Sequence, residues 1–115
     1  MNIQKSLLLA VTSLLLTFTY NEANAFQNAE KHPIPYLEDA KIFAQFTDEL
    51  PAVINYFTAH NEQEIINFYQ GKFGDATNSE MKRNRLTLYF NHSDKQLRVV
   101  ISKQGTKSQV DILLK

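Results

Sequence analysis

Three histidines, His32, His60 and His92, are the side chains of this 115-residue chain best suited to metal binding or proton transfer. No two of them lie at the i, i+4 helical spacing or the close strand spacing that a zinc site favours. We therefore interpret all three as solvated loop histidines and predict no metal and no cofactor. A site that the fold assembles from His60 and His92 is the alternative interpretation.

The carboxylates occur in three close pairs, Glu38-Asp39, Asp48-Glu49 and Glu62-x-Glu64. A general acid and base need a cleft that separates their pKa values, whereas these pairs lie in predicted turns or at a predicted helix start. The chain has no cysteine for thiol catalysis, three glycines, which form no phosphate-binding loop, and no serine in a nucleophile-elbow context. The sequence therefore predicts a protein that is not an enzyme.

The densest basic cluster comprises Lys82, Arg83 and Arg85, with Tyr89 and Arg98 further along the chain. Such a cluster can bind phosphate groups or anionic lipid headgroups, and the competing interpretation is a solvated loop.

The formal charge is −6 over residues 26–80 and +6 over residues 81–115, and the whole chain is neutral. A neutral chain does not have the electrostatic footprint of a nucleic-acid-binding protein, so we predict no nucleic-acid partner.

Period-two alternation of apolar residues predicts three strands in the last third of the chain, and β-branched and aromatic residues predict one strand before it. The predicted strands are residues 85–90, 96–103, 108–114 and 52–58. Residues 40–47 are apolar but too short to decide between strand and helix, and polar residues 75–84 are predicted to form an exposed loop.

One helix is predicted after Asn61, which with Glu64 has the spacing of a capping box. The apolar stripe behind it includes Ile65, Phe68 and Tyr69, and we expect the two aromatic side chains to anchor the helix on the sheet. The predicted fold is an α+β two-layer domain of order β-α-β-β-β, with one helix packed on one face of an antiparallel sheet of four to five strands.

The first 25 residues have the pattern of a cleaved signal peptide: a basic residue, Lys5, then an apolar run, then Ala23-Asn24-Ala25. The predicted organisation is a signal peptide over residues 1–25, a proline-containing lead-in arm over residues 26–39 and one α+β domain over residues 40–115. We expect an exported bacterial protein, periplasmic or released from the cell, with no transmembrane segment after cleavage.

The succession of a proline-rich lead-in (residues 33–40), a strand ending at Thr58, a capped helix and a terminal β-meander resembles small exported bacterial domains of unknown function. Those domains have a pattern of the type T-x-x-S-x-x-x-V-x-x-F-Y between strand and helix. Here Asn61 stands at the capping position, and Ile65, Phe68 and Tyr69 match. The resemblance implies the fold and no active site.

The face of the predicted sheet opposite the helix has nothing to cover it. We predict a non-enzymatic binding or accessory protein that holds an envelope protein on this face or on an exposed strand edge, in an oligomeric state that the sequence leaves open. The binding residues predicted there are Tyr89, Arg98, Val100 and Leu113. The alternative is a binder of a small ligand or an anionic lipid headgroup between helix and sheet, with Lys82, Arg83 and Arg85 at the rim.

Overall fold

Alternating apolar side chains form one antiparallel sheet of six strands, and one helix packs on it. The computed structural model describes residues 30–115, of which residues 31–115 form one unit. The predicted signal peptide lies outside the described residues. The elements are β1 (Lys41–Phe46), β2 (Ala52–Thr58), α1 (Glu62–Phe73), β3 (Asn78–Lys82), β4 (Arg85–His92), β5 (Lys95–Gln104) and β6 (Lys107–Leu114).

The strand order across the sheet is β1-β2-β6-β5-β4-β3, and every neighbouring pair is antiparallel. The α+β class with an antiparallel sheet and one helix is confirmed. The expected count of four to five strands is wrong, because residues 78–82 form a sixth strand within the predicted loop. All five residues of β3 are exposed, so this edge strand carries no apolar alternation that a sequence could reveal.

Residues 40–47, which the sequence left undecided, contain strand β1. Its pairing with β2 shifts register between Ile42 and Ala44, as at a β-bulge. An extra residue in one strand reverses the alternation of side chains beyond it. The bulge explains why the period-two signal of β2 was missing from β1.

The inner face of the sheet, which α1 covers, carries the core. Along β2, Ile54 and Tyr56 are fully buried, and their neighbours Val53, Asn55 and Phe57 point to the opposite face and are half-buried. The remaining buried apolar side chains of the sheet are Ala52, Leu88, Phe90, Leu97, Val99, Ile101, Val110, Ile112 and Leu114.

Helix α1 begins with the predicted capping box. The Asn61 side chain accepts a hydrogen bond from the Glu64 N–H at 2.9 Å, and the Glu64 carboxylate accepts one from the Asn61 N–H at 3.2 Å. The helix ends at Phe73 and is capped by Gly74, whose φ of 82° is strained for residues other than glycine. Ile65 and Tyr69 are its buried residues, whereas Phe68 is half-buried with its ring edge against Tyr69.

A pair of buried tyrosines ties the segment before β1 to this core. The Tyr56 and Tyr69 hydroxyl oxygens lie 2.6 Å apart, and the Tyr69 hydroxyl donates to the Pro35 carbonyl oxygen at 3.0 Å. Burial raises the pKa of Tyr56 to about 12 and also raises the pKa of Tyr69, so both remain protonated donors. Ile34 and Leu37, on either side of Pro35, are buried with the core.

Candidate functional site

The face of the sheet opposite α1 is the first candidate site, and we call it the outer face. It displays alternate residues of the strands that α1 covers on the other side: Val53, Asn55, Phe57, Thr87, Tyr89, Arg98, Val100, Ser102, Gln109, Asp111 and Leu113. Helix α1 packs on the inner face, where Ile34 and Leu37 also join the core. Among residues 30–115, no helix lies over the outer face.

Four of the sequence-predicted binding residues come together on this face. Tyr89 pairs with Arg98 across β4 and β5, and Arg98 pairs with Leu113 across β5 and β6, so the three form one row. Val100 lies in the next row, opposite Asp111. Cross-strand neighbours in one row have Cβ atoms about 4.5–5.5 Å apart, close enough to contact a single partner.

The basic cluster lies apart from that row. Arg85 pairs with Lys82 at the other end of β4, and Arg83 is a turn residue of the β3–β4 hairpin, with a φ of 53°. Four residues separate Arg85 from Tyr89, which is about 13 Å along a strand. The structure therefore divides the predicted binding residues into a mixed row and a basic end.

An aromatic group at the β1 edge of the same face was missing from the predicted site. The Phe43 and Phe57 ring centroids lie 4.9 Å apart. Phe43 is 53% exposed and Phe46 is 69% exposed, the largest value among the exposed large apolar side chains. Phe57 and Val53 could have been found from the sequence, because they alternate with Ile54 and Tyr56 in β2.

The polar centre of the outer face is the Asp111 carboxylate. Its Oδ1 accepts a hydrogen bond from Asn55 Nδ2 at 2.7 Å, and both of its oxygens accept from Gln109 Nε2 at 3.1 Å. Asn55 is the cross-strand neighbour of Asp111 in β2. These amides hold a half-buried carboxylate in one orientation, and sequence reasoning overlooked it because a lone aspartate in a strand is not a motif.

A second cluster surrounds His60, which the sequence predicted to be a solvated loop residue. Glu64 Oε2 lies 2.9 Å from His60 Nδ1, and Glu38 Oε1 lies 3.1 Å from Nε2. Asp39 Oδ1 lies 3.8 Å from Nε2 and accepts a hydrogen bond from the Thr58 hydroxyl at 2.6 Å. His60 lies in the bend between β2 and α1, as expected of a loop histidine, but its side chain is half-buried among three carboxylates.

The electrostatics of this His60 cluster favour an imidazolium. Hydrogen bonds to Glu64 and then to Glu38 raise the pKa of His60, and the hydrogen bond from His60 lowers the pKa of Glu64. The Thr58 hydroxyl and the Ala59 N–H lower the pKa of Asp39. With both ring nitrogens bound to carboxylates, His60 is suited to hold residues 38–39 against the start of α1, rather than to accept a proton from a nucleophile.

A groove between helix and sheet is the third candidate. It has a volume of about 540 Å³ and opens to solvent between α1 and strands β3 and β4. Its lining combines apolar Ile66, Ala76, Leu86 and Leu88 with polar Gln70, Asp75, Asn78 and Ser79. Lys82, Arg83 and Arg85, which the sequence placed at the rim of such a site, are not among the lining residues.

Comparison with known proteins leaves the family of this chain open. No protein-family model, curated protein or solved structure matches it. The resemblance to small exported domains therefore stays a prediction.

Within the described residues, no helix is long and apolar enough to cross a membrane, and no group of three or more His, Asp or Glu side chains could hold a metal ion.

Proposed function

We propose that this protein is an exported, non-enzymatic binding module that holds another protein on the outer face of its sheet. The observation that carries the proposal is the composition of that face. It combines half-buried apolar side chains with an oriented carboxylate, Asp111, and an exposed arginine, Arg98. Protein interfaces combine apolar contacts with direct hydrogen bonds, and arginine and aromatic residues are enriched in them.

The His60 cluster supports the non-enzymatic part of the proposal. Its histidine is bound at both ring nitrogens, and its Thr58 hydroxyl donates to Asp39 instead of pointing to the imidazole. Catalysis by a histidine base needs a nucleophile or a substrate proton within hydrogen-bond reach of a free ring nitrogen. The cluster has the contacts of a tether between residues 38–39 and α1.

Site-specific photo-crosslinking in intact cells tests the binding face. A photoreactive phenylalanine analogue replaces Val100 on the outer face, and in a matched control it replaces Gln63 on the exposed side of α1. We expect a discrete crosslinked species from position 100 and none from position 63, and we expect Arg98→Glu to remove it. Equal crosslinking from both positions, or none from position 100, would contradict the proposal.

The groove supports a second candidate function, binding of a small apolar ligand. Its volume falls within the roughly 300–1,000 Å³ of known ligand sites. The test uses the apolar anionic dye anilinonaphthalene sulfonate and vesicles of phosphatidylglycerol. Dye fluorescence that Leu86→Glu abolishes would support a groove ligand. Vesicle binding that requires Lys82 and Arg85 would instead support recognition of lipid headgroups by the basic end.

A further inference from the structure

The Asp111 carboxylate has no positively charged partner within the described part of its own chain. Its three hydrogen bonds come from the neutral amides of Asn55 and Gln109, and no lysine, arginine or histidine forms an ion pair with it among residues 30–115. A carboxylate offers about four acceptor sites, so one remains open. The amides orient the negative charge without neutralising it.

Arg98 is the complementary feature on the same face. It is exposed, and it forms no ion pair with any acidic residue of the described chain. Arg98 lies on β5 and is diagonal to Asp111, because Val100 is the residue opposite Asp111 and Leu113 is opposite Arg98. The hydrogen bond to Asn55 holds the carboxylate on the β2 side, away from the strand that carries Arg98.

An interface between identical subunits about a two-fold axis needs a surface that is complementary to itself. One surface must therefore carry both members of each interacting pair, offset from one another so that they meet only across the axis. Arg98 and Asp111 meet this requirement, since they are close on one face and do not neutralise each other within the chain.

We propose that the outer face binds a second copy of this chain, with Arg98 of each copy paired to Asp111 of the other. This inference rests on the proposed function, because it takes the outer face as the binding surface and names its occupant. Facing sheets pack about 10 Å apart, a gap that an arginine and an aspartate side chain span together. Leu113, which lies beside both charged residues, supplies apolar contact between the pairs.

The size of the face is compatible with a specific dimer. Six strands at about 4.8 Å spacing and about seven residues each make a face of roughly 29 by 23 Å. A standard interface buries about 800 Å² of accessible surface per partner, and the accessible area of a side-chain-covered face exceeds its projected area. The exposed rings of Phe43 and Phe46 add apolar area at one margin.

A charge exchange measured by sedimentation equilibrium of the purified protein tests the pairing. We expect wild type to sediment as a dimer in the micromolar range. Arg98→Asp and Asp111→Arg each place like charges at both pairs, so each should weaken the dimer by about 100-fold or more. An equimolar mixture of the two variants restores opposite charges at both pairs and should regain the dimer. Gln63→Asp, on the exposed side of α1 and away from the outer face, is the control and should leave the dimer intact.

The outcomes separate this inference from the proposed function. Wild type that stays monomeric to about 200 µM, or a dimer that Arg98→Asp leaves unchanged, would overturn the pairing. The pairing would also be overturned if both variants fold but their equimolar mixture stays monomeric. If Asp111→Arg does not fold, Arg98→Asp alone still tests the pairing. Position 98 is exposed, so this substitution should leave the fold intact. A monomeric wild type that still crosslinks to a different protein through position 100 would refute the second copy and retain the binding face.

Discussion

Removing one hydroxyl group from the core should destabilise the protein substantially. In Tyr69→Phe the ring stays, but Tyr56 loses the partner of its hydroxyl at 2.6 Å and the Pro35 carbonyl loses its donor at 3.0 Å. A buried polar group left without a partner costs about 1–3 kcal/mol. Tyr56 is fully buried and pays this cost in full, whereas water can reach the half-buried Pro35. We expect a loss of about 2–3 kcal/mol in the free energy of unfolding.

Urea unfolding measures this loss. At a slope of about 1 kcal/mol per molar urea, the midpoint should fall by about 2 M, a large change for a domain whose total stability is about 5–15 kcal/mol. Tyr36→Phe is the matched control, because Tyr36 is 44% exposed and its hydroxyl has no hydrogen-bond partner in the described chain. The control should stay within about 0.5 kcal/mol of wild type.

A double-mutant cycle isolates the hydroxyl pair. Tyr56→Phe alone removes the same hydrogen bond but leaves the Tyr69 hydroxyl donating to the Pro35 carbonyl oxygen. Once Tyr56→Phe is present, Tyr69→Phe no longer orphans the Tyr56 hydroxyl, so the double variant should cost less than the sum of the two singles. A Tyr69→Phe midpoint equal to wild type, or strictly additive singles, would refute the argument that this hydrogen-bonded chain holds residues 35–37 on the core.

Three further predictions concern α1 and the His60 cluster. The raised pKa of His60 makes its stabilisation complete below its ordinary value of 6.5 and lost as the pH rises through the raised value. The urea midpoint should therefore fall as the pH rises above 6.5 in wild type, and much less in His60→Gln. Phe68→Ala should cost only about 1–2 kcal/mol, because the ring is half-buried. Asn61→Ala removes the helix cap and should cost about 1 kcal/mol.

His92→Gln should keep the pH dependence of wild type. If His92→Gln lost that pH dependence, His92 and not His60 would be its source. On the acid side, the lowered pKa values of Asp39 and Glu64 predict that stability falls as the pH drops below about 4, as these carboxylates become protonated. A Phe68→Ala cost above about 3 kcal/mol would mean that Phe68 is a core residue. Gln63→Ala should not reproduce the Asn61→Ala loss.

Local patterns predicted those parts of the fold whose determinants are close in sequence. The capping box needs only Asn61 and Glu64, and Gly105, with a φ of 63°, lies between the strands that the sequence predicted over residues 96–103 and 108–114. Strand β3 was missed because it is exposed along its whole length. Residues 40–47 stayed undecided between strand and helix, because the bulge in β1 interrupts its alternation. The expectation that Phe68 anchors the helix as strongly as Tyr69 also needs correction, since only Tyr69 is fully buried.

The candidate sites were predicted less well, because their contacts join distant residues. Alternation alone placed Tyr89, Arg98 and Leu113 on one face, and strand pairing then aligned them in a row. In contrast, 22 residues separate Glu38 from His60, and 56 separate Asn55 from Asp111. Such pairs leave no periodic signal in the chain, so the His60 cluster and the oriented carboxylate become visible only once the strand order is known.

The position of β6 has a consequence for how this chain folds. The strand lies between β2 and β5 in the middle of the sheet, yet it follows both in the sequence, and it pairs Ala52 with Leu114. During synthesis, β2 therefore emerges well before β6, the strand that pairs with it on the side of the sheet centre. Non-local pairing of this kind slows folding, because a long loop must close before its contacts form. We expect the nascent chain to remain unfolded until β6 is available, and deletion of residues 107–114 to abolish folding instead of merely weakening it.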